Sequence, residues 1–268
     1  MKVQNKVIVV TGGGSGMGRE IVLHLLSKGA RVVAIDINEP TLQETAALAS
    51  QWNKSLSTFA VDITKKASVE KLLGDVLTSV GPVDGIINNA GIIQPFVKID
   101  QLGYEVVERV FNVNFYGTLY MTKTFLPHLL TRPEAHIVNV SSMGGFLPVP
   151  GQTIYGASKA AVKLFTEGLH SELADTRVRV TIVFPGAVKT SITQNSGVST
   201  PHRTTSDTKS MKVLSADKAA EIIIEGMEND RYRVLVGNDA KMMDWYYRFN
   251  PASAARMIAQ KMKSLLAI

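Results

Sequence analysis

Short runs of β-branched residues, most of them continuously apolar, alternate with longer helical patterns along this chain, and that rhythm limits its fold more than any other feature. The runs are Lys6–Thr11, Arg31–Asp36, Ser57–Asp62, Gly85–Asn88, His136–Ser141 and Arg179–Phe184. A seventh, Tyr232–Val236, follows a long polar segment. Strands covered by helices on both faces lose the alternation of half-exposed strands and read as solid apolar stretches such as Val7-Ile8-Val9-Val10. The expectation is an α/β fold: a doubly wound parallel sheet of about seven strands with helices on both faces, which places ligands at the carboxyl ends of the strands. The 268 residues suit one domain spanning 1–268, with about 193–215 as a substrate lid and about 239–268 as a C-terminal extension. Two helical patterns, Tyr104–Leu130 and Ile154–Leu173, carry apolar residues on more than one face, as helices do when they pack on a sheet and on another subunit.

Composition removes several classes. With 45% hydrophobic and 19% charged residues, the chain is neither disordered nor a coiled coil. The absence of cysteine excludes disulfides, thiolate nucleophiles and Cys-ligated metals. His24, His128, His136, His170 and His202 show no metal-ligand spacing, so no metal is expected. Four apolar residues after Lys6 are too few for a secretory signal, and no run approaches the roughly 20 residues of a membrane span. A cytoplasmic protein without a nucleic-acid partner is expected, the net charge of +6 reading as solvated surface. The low charged fraction points to a homodimer or homotetramer.

The first strand runs into Thr11-Gly-Gly-Gly-Ser-Gly-Met-Gly18 and then a helix. In that setting Gly12 makes a tight turn, Gly16 admits a pyrophosphate, and Gly18 allows close packing of helix on strand. This marks a Rossmann-type dinucleotide site with Ser15 and Met17 in the turn. Asp36 closes the second strand about 20 residues on, where a carboxylate accepts from ribose hydroxyls. A 2′-phosphate would meet negative charge there, and neither Ser15 nor Ile37 brings a cation, so NAD is expected over NADP.

Tyr155 and Lys159 stand four apart and share a helix face, while Ser142 ends the fifth strand on the ligand side. Beside a nicotinamide, this trio reads as alcohol–ketone chemistry. Lowering a phenol by about three pKa units takes roughly 4 kcal/mol, which one ammonium at about 4 Å supplies at an effective dielectric of 20. Lys159 is therefore expected to tune Tyr155, and Ser142 to hold the substrate oxygen.

These elements together resemble the short-chain dehydrogenase/reductase family, in its short single-domain type, over residues 5–237. Thr11, Gly12, Gly16 and Gly18 match its TGxxxGxG, Asn88-Asn89-Ala90-Gly91 its NNAG, and Ser142, Tyr155 and Lys159 its Ser…YxxxK. The resemblance implies a catalytic Asn114 that positions Lys159. It implies cofactor contacts by Asp62 with Ile63, by Asn89, Ala90 and Gly91, and by Pro185, Gly186, Val188 and Thr190. The substrate is expected among Ile93–Phe96, Met143–Leu147, Val149, Gln152, Phe184 and Ala187–Val188, with Ser142, Gly144, Gln152 and Tyr155 as contacts. This mostly apolar set favours a secondary alcohol or ketone on a hydrophobic body. The alternatives are a 3-oxoacyl-thioester reductase and a dinucleotide sensor without catalysis. After Pro251, Ala255, Ile258, Met262, Leu265 and Leu266 mark one helix face, expected to cover the substrate mouth or a neighbouring subunit in preference to a membrane.

Overall fold

The computed structural model describes residues 1–198 and 213–262. The first half runs β1 (Val7–Thr11), α1 (Gly16–Ser27), β2 (Arg31–Asp36), α2 (Glu39–Leu48), β3 (Leu56–Ala60), α3 (Lys66–Ser79) and β4 (Gly85–Asn88). Helix α4 (Tyr104–Phe111) continues through a π turn, Asn112–Gly117, into α5 (Thr118–Leu130) and then β5 (Ala135–Val140). The second half holds α6 (Thr153–Glu172), β6 (Val178–Pro185), β7 (Val188–Lys189), α7 (Ile192–Asn195), β8 (Leu214–Ser215) and α8 (Ala216–Glu228). It closes with β9 (Arg233–Val236), α9 (Asn238–Phe249) and α10 (Pro251–Lys261).

Seven strands form one parallel sheet in the order β3-β2-β1-β4-β5-β6-β9, while β7 and β8 pair separately. The chain works outward from β1 to β3, then returns to lay β4 on the other side of β1. That reversal opens a crevice at the carboxyl ends of β1 and β4, where a doubly wound sheet binds its ligand.

Both faces of each central strand are spent on packing. Ile8 and Val10 join Val22, Leu25, Ile223 and Ile224 of α1 and α8 in one layer. Val7 and Val9 join Leu72, Val76, Met121 and Phe125 of α3 and α5 in the other. Each such buried side chain contributes about 1.5–3 kcal/mol relative to exposure, and the two layers explain why the strands read as unbroken apolar runs.

Three boundaries differ from the sequence reading. β3 ends at Ala60 because the chain bends after Val61 N donates to Asp36 O (2.9 Å), which leaves Asp62 two residues beyond the strand. β5 ends at Val140, and although Ser141 N still donates to Val183 O (2.9 Å), Ser142 opens a 3-10 turn rather than closing the strand. The stretch expected as one helix from Tyr104 to Leu130 carries the π turn, whose wide loop holds Asn114.

Of the expected lid, α7 and β8 are ordered elements at its two ends, and residues 199–212, with His202, Arg203, Lys209 and Lys212, lie outside the described residues. Among the described residues, no helix is long and apolar enough to cross a membrane.

The C-terminal helices lie over the segment that follows Ser142. Leu147, Met243, Ala254 and Ile258 form a buried cluster with Met143, Phe146 and Val149 against it. The buried stripe of α10 is centred on Ala254 and Ile258; Ala255 is only half-buried, and Leu265 and Leu266 lie outside the described residues.

Candidate active site

The glycine turn is shaped by what a side chain would strike. Gly12 sits at φ +71°, where L side chains rarely go, and a Cβ on Gly18 would be driven into the Gly12 carbonyl. Thr11 Oγ1 accepts from Asn89 N (3.0 Å) and Ala90 N (3.1 Å), and Asn89 Nδ2 donates to Thr11 O (3.1 Å), so the ends of β1 and β4 are locked together.

A single cavity of about 380 Å³ runs from this turn across the sheet edge. Every expected cofactor residue lines it: Gly12, Ser15, Gly16, Met17 and Gly18; Asp36 and Ile37; Asp62 and Ile63; Asn89, Ala90 and Gly91; Tyr155 and Lys159; Pro185, Gly186, Val188 and Thr190. Ser142 lines it as well. Among its described lining residues the charged ones are Asp36, Asp62 and Lys159. The Asp36 carboxylate is fixed at the rim by Gly14 N (3.1 Å) and Asn38 N (3.1 Å), and Asp62 Oδ1 by Thr64 N (2.9 Å). A bare glycine cradle at a helix start with two held carboxylates beyond it fits a dinucleotide.

Helix α6 carries Tyr155 and Lys159. Lys159 Nζ donates to Val140 O (2.9 Å), and Ser141 Oγ donates to Lys159 O (2.7 Å), which clamps the helix to the end of β5. Ser142 Oγ accepts from Gly144 N (3.0 Å), and Gly144 lies against the Tyr155 ring, so these three are brought together. Asn114 is fully buried. Its Oδ1 accepts from Ile92 N (2.8 Å) and its Nδ2 donates to Ile92 O (3.0 Å) and Ser158 Oγ (2.9 Å), tying the π turn to the loop after β4 and to α6. It approaches Lys159 across Gly91, where an added Cβ would lie 3.1 Å from Lys159 Nζ and 3.3 Å from Asn114 Oδ1.

Gln152 is placed differently from its expected role as a substrate contact. It is buried, and its Nε2 donates to Gln94 O (2.8 Å) rather than lining the cavity. Gln94, expected on the pocket wall, turns inward: its Oε1 accepts from Ile154 N (2.7 Å) and Tyr155 N (3.1 Å).

Burial shapes the protonation of both groups. Burial pushes the Tyr155 phenol above its usual value, with the Ser142 hydroxyl acting the other way more weakly. Burial also pushes the Lys159 amine down, to about 8. In the protein alone, exclusion of water is the largest influence on both groups.

Several lining residues had little sequence signal. Asn195 Nδ2 donates to Ser15 Oγ (2.8 Å), joining α7 to the glycine turn across 180 residues. Asn38 and Thr41 were legible in principle, because Asn38-Glu-Pro-Thr41 is a helix start and Asn38 Oδ1 accepts from Thr41 N (3.3 Å). Away from the crevice, Glu20, His24 and Asp217 each bring one ligand-type atom within 4.8 Å of the others, a surface grouping invisible in the sequence spacing, in which His24 and Asp217 pair at 2.7 Å.

A family profile described as short chain dehydrogenase matches residues 6–200. The putative oxidoreductase SadH of Mycobacterium tuberculosis is 34% identical over 262 residues, covering 96% of this chain and 95% of its own. An uncharacterized oxidoreductase of Staphylococcus epidermidis is 37% identical over 193 residues, 72% of this chain and 82% of its own. A short-chain dehydrogenase/reductase from Burkholderia phymatum in complex with NAD superimposes with a TM-score of 0.84 at 28% identity, covering 94% and 96% of the two chains. A short chain dehydrogenase from Burkholderia cenocepacia in complex with NADP gives 0.80 at 25% identity, covering 96% and 99%. Sheet order, cavity and likeness agree, and the chain belongs to the short-chain dehydrogenase/reductase family of oxidoreductases.

Proposed function

We propose that this oxidoreductase interconverts a secondary alcohol and a ketone on a hydrophobic body, uses NAD in preference to NADP, and employs Tyr155 as general acid and base. One observation carries the reading: a single cavity is lined both by the glycine turn with Asp36 and by Ser142, Tyr155 and Lys159. A nicotinamide held beside them would supply or accept the hydride. The chain's own groups handle the rest. The Ser142 hydroxyl holds the substrate oxygen, and Tyr155 gives it a proton in reduction or takes one in oxidation. Lys159 donates into the same space and favours the phenolate while it is itself charged. Ile92, Ile93, Val188 and Ile192 of the wall give an apolar substrate body more than they give an anion.

The NAD preference is supported by the fixed Asp36 carboxylate. Arg19, one turn into α1, is occupied by Gly14 O (2.6 Å) and Glu44 (2.6 Å). Like-charge juxtaposition costs several kcal/mol, and each ~1.4 kcal/mol is tenfold in affinity. NAD should therefore bind at least about tenfold tighter than NADP; equal binding or a preference for NADP overturns the cofactor assignment. Tyr155→Phe should lower kcat by about 10²–10⁴ while leaving the Kd for NAD within about twofold. Near-normal kcat in that variant sinks the proton-transfer role. Self-association belongs to the same reading, supported by the exposed Tyr116 of the π turn and Leu164 of α6. Light scattering should give a dimer or tetramer, and a monomer removes that part.

A further inference from the structure

Helix α9 turns a row of large apolar side chains to solvent. Met242, Trp245 and Phe249 are 55%, 69% and 79% exposed, and the two rings stack with centroids 5.9 Å apart and planes 2° from parallel. Their spacing of three and four puts them on one face. Lys241 and Arg248, both exposed, fall on the same arc. No acid is exposed on it: Asp239 accepts from Ala187 N (2.7 Å), and the buried Asp244 is held by Arg233 (2.8 Å) and reached by Arg248 (3.2 Å), so Lys241 is the unshared cation of the arc among the described residues. From Trp245 to the last residue the sequence holds Arg248, Arg256, Lys261 and Lys263 but no Asp or Glu.

We propose that this face of α9 docks the protein on an anionic lipid surface. Aromatic and thioether side chains flanked by cations, with acids excluded, are the chemistry of a helix lying at a charged interface. The sequence pattern set α10 over the substrate mouth or a neighbouring subunit in preference to a membrane, and the apolar stripe of α10 is not free for lipid, with Ala254 and Ile258 buried beneath α9. A second copy fits this face less well. Two-fold pairing would set Lys241 and Arg248 against the same cations, and three side chains offer about 400 Å² at most. A stable dimer takes about 800 Å² from each partner. The inner side of α9 packs with Phe146 and Leu147, so docking holds the segment that follows Ser142 beside the lipid. The docking does not rest on the proposed reaction, and its test reads no activity.

The full-length protein is sedimented with phosphatidylcholine vesicles and with vesicles containing about 30 mol % phosphatidylserine. Binding to the second set only, weakened by salt, is expected. The chain has two tryptophans, so in a Trp52→Phe background the emission of Trp245 should shift to the blue on binding. Trp245→Ser with Phe249→Ser, and separately Lys241→Glu, should each cut the bound fraction at least tenfold with melting midpoint, NAD affinity and particle mass unchanged. The proposal fails if the wild type stays in the supernatant with the anionic vesicles, or if both variants sediment as well as the wild type. A halved particle mass in the double variant also overturns it and makes the face a contact between copies of this chain.

Discussion

An amine with 4% of its surface open to water is held at a cost, and Lys159 shows it. Burial lowers its pKa to about 8 from the ordinary 10.5. Between those values the unfolded chain binds a proton that the folded chain has released, so stability rises with pH across that window. Below about pH 8 both states are protonated and the burial penalty is felt in full. Lys159→Met removes the titration. Its stability relative to the wild type should fall by about 1.4 kcal/mol per pH unit above pH 8, read by urea unfolding of the cofactor-free protein. Tyr155, raised by burial, works in reverse above about pH 10, because the folded phenol keeps a proton that the unfolded one loses. A constant difference from pH 7.5 to 9.5 would contradict the burial argument. That these two residues share one helix was legible in the sequence, because a four-residue spacing is local. The direction of their shifts was not, since desolvation depends on which distant segments close over them.

At the scale of the element, α6 begins without help from its own N-cap side chain. Gln94 supplies the missing acceptor from the loop after β4, taking Ile154 N and Tyr155 N on Oε1, and Gln152 ties the two segments from the other side. The backbone of Tyr155 is thus held by a cap some 60 residues away, and no local signature could announce it. The helix itself was read to within a residue at each end, because its apolar period is continuous from Ile154 to Leu169. The π turn at Asn114 escaped the same reading, since one extra residue in a long apolar pattern leaves the period almost intact. Gln94→Leu should cost about 1–2 kcal/mol of stability and lower kcat more than about tenfold with NAD affinity kept. Gln94→Glu retains an acceptor at a helix start, where negative charge is favoured, and should recover most of the turnover. If Gln94→Leu lowers the melting midpoint yet turns over within twofold of the wild type, the cap is structural and does not place Tyr155.

Across the whole molecule, the parallel sheet follows from repeated local patterns, whereas the C-terminal helices are attached by long-range contacts, the Leu147–Ile258 cluster and an ion pair. Arg233 of β9 donates to both carboxylate oxygens of Asp244 (2.8 Å each), and its guanidinium lies 4.5 Å over the Phe184 ring. Burial works against the charge of Asp244, but Arg233 and then Arg248 hold its carboxyl below the usual range. Its contribution is therefore full above the ordinary carboxylate pKa and is lost as pH falls through the acid range below it. The same helix reaches the crevice through Asp239 on Ala187 N, so loosening α9 also frees the turn beside Gly186. Removing one partner of a buried pair strands the other, whereas replacing both by apolar residues of similar volume is often neutral. Asp244→Leu alone should cost about 3 kcal/mol and speed proteolysis within residues 238–262, and adding Arg233→Met should restore all but about 1 kcal/mol. Chemical unfolding of the two single variants and the double variant reads this coupling directly. Losses that simply add would mean that the helices are held by the Leu147–Ile258 cluster, with the ion pair a bystander.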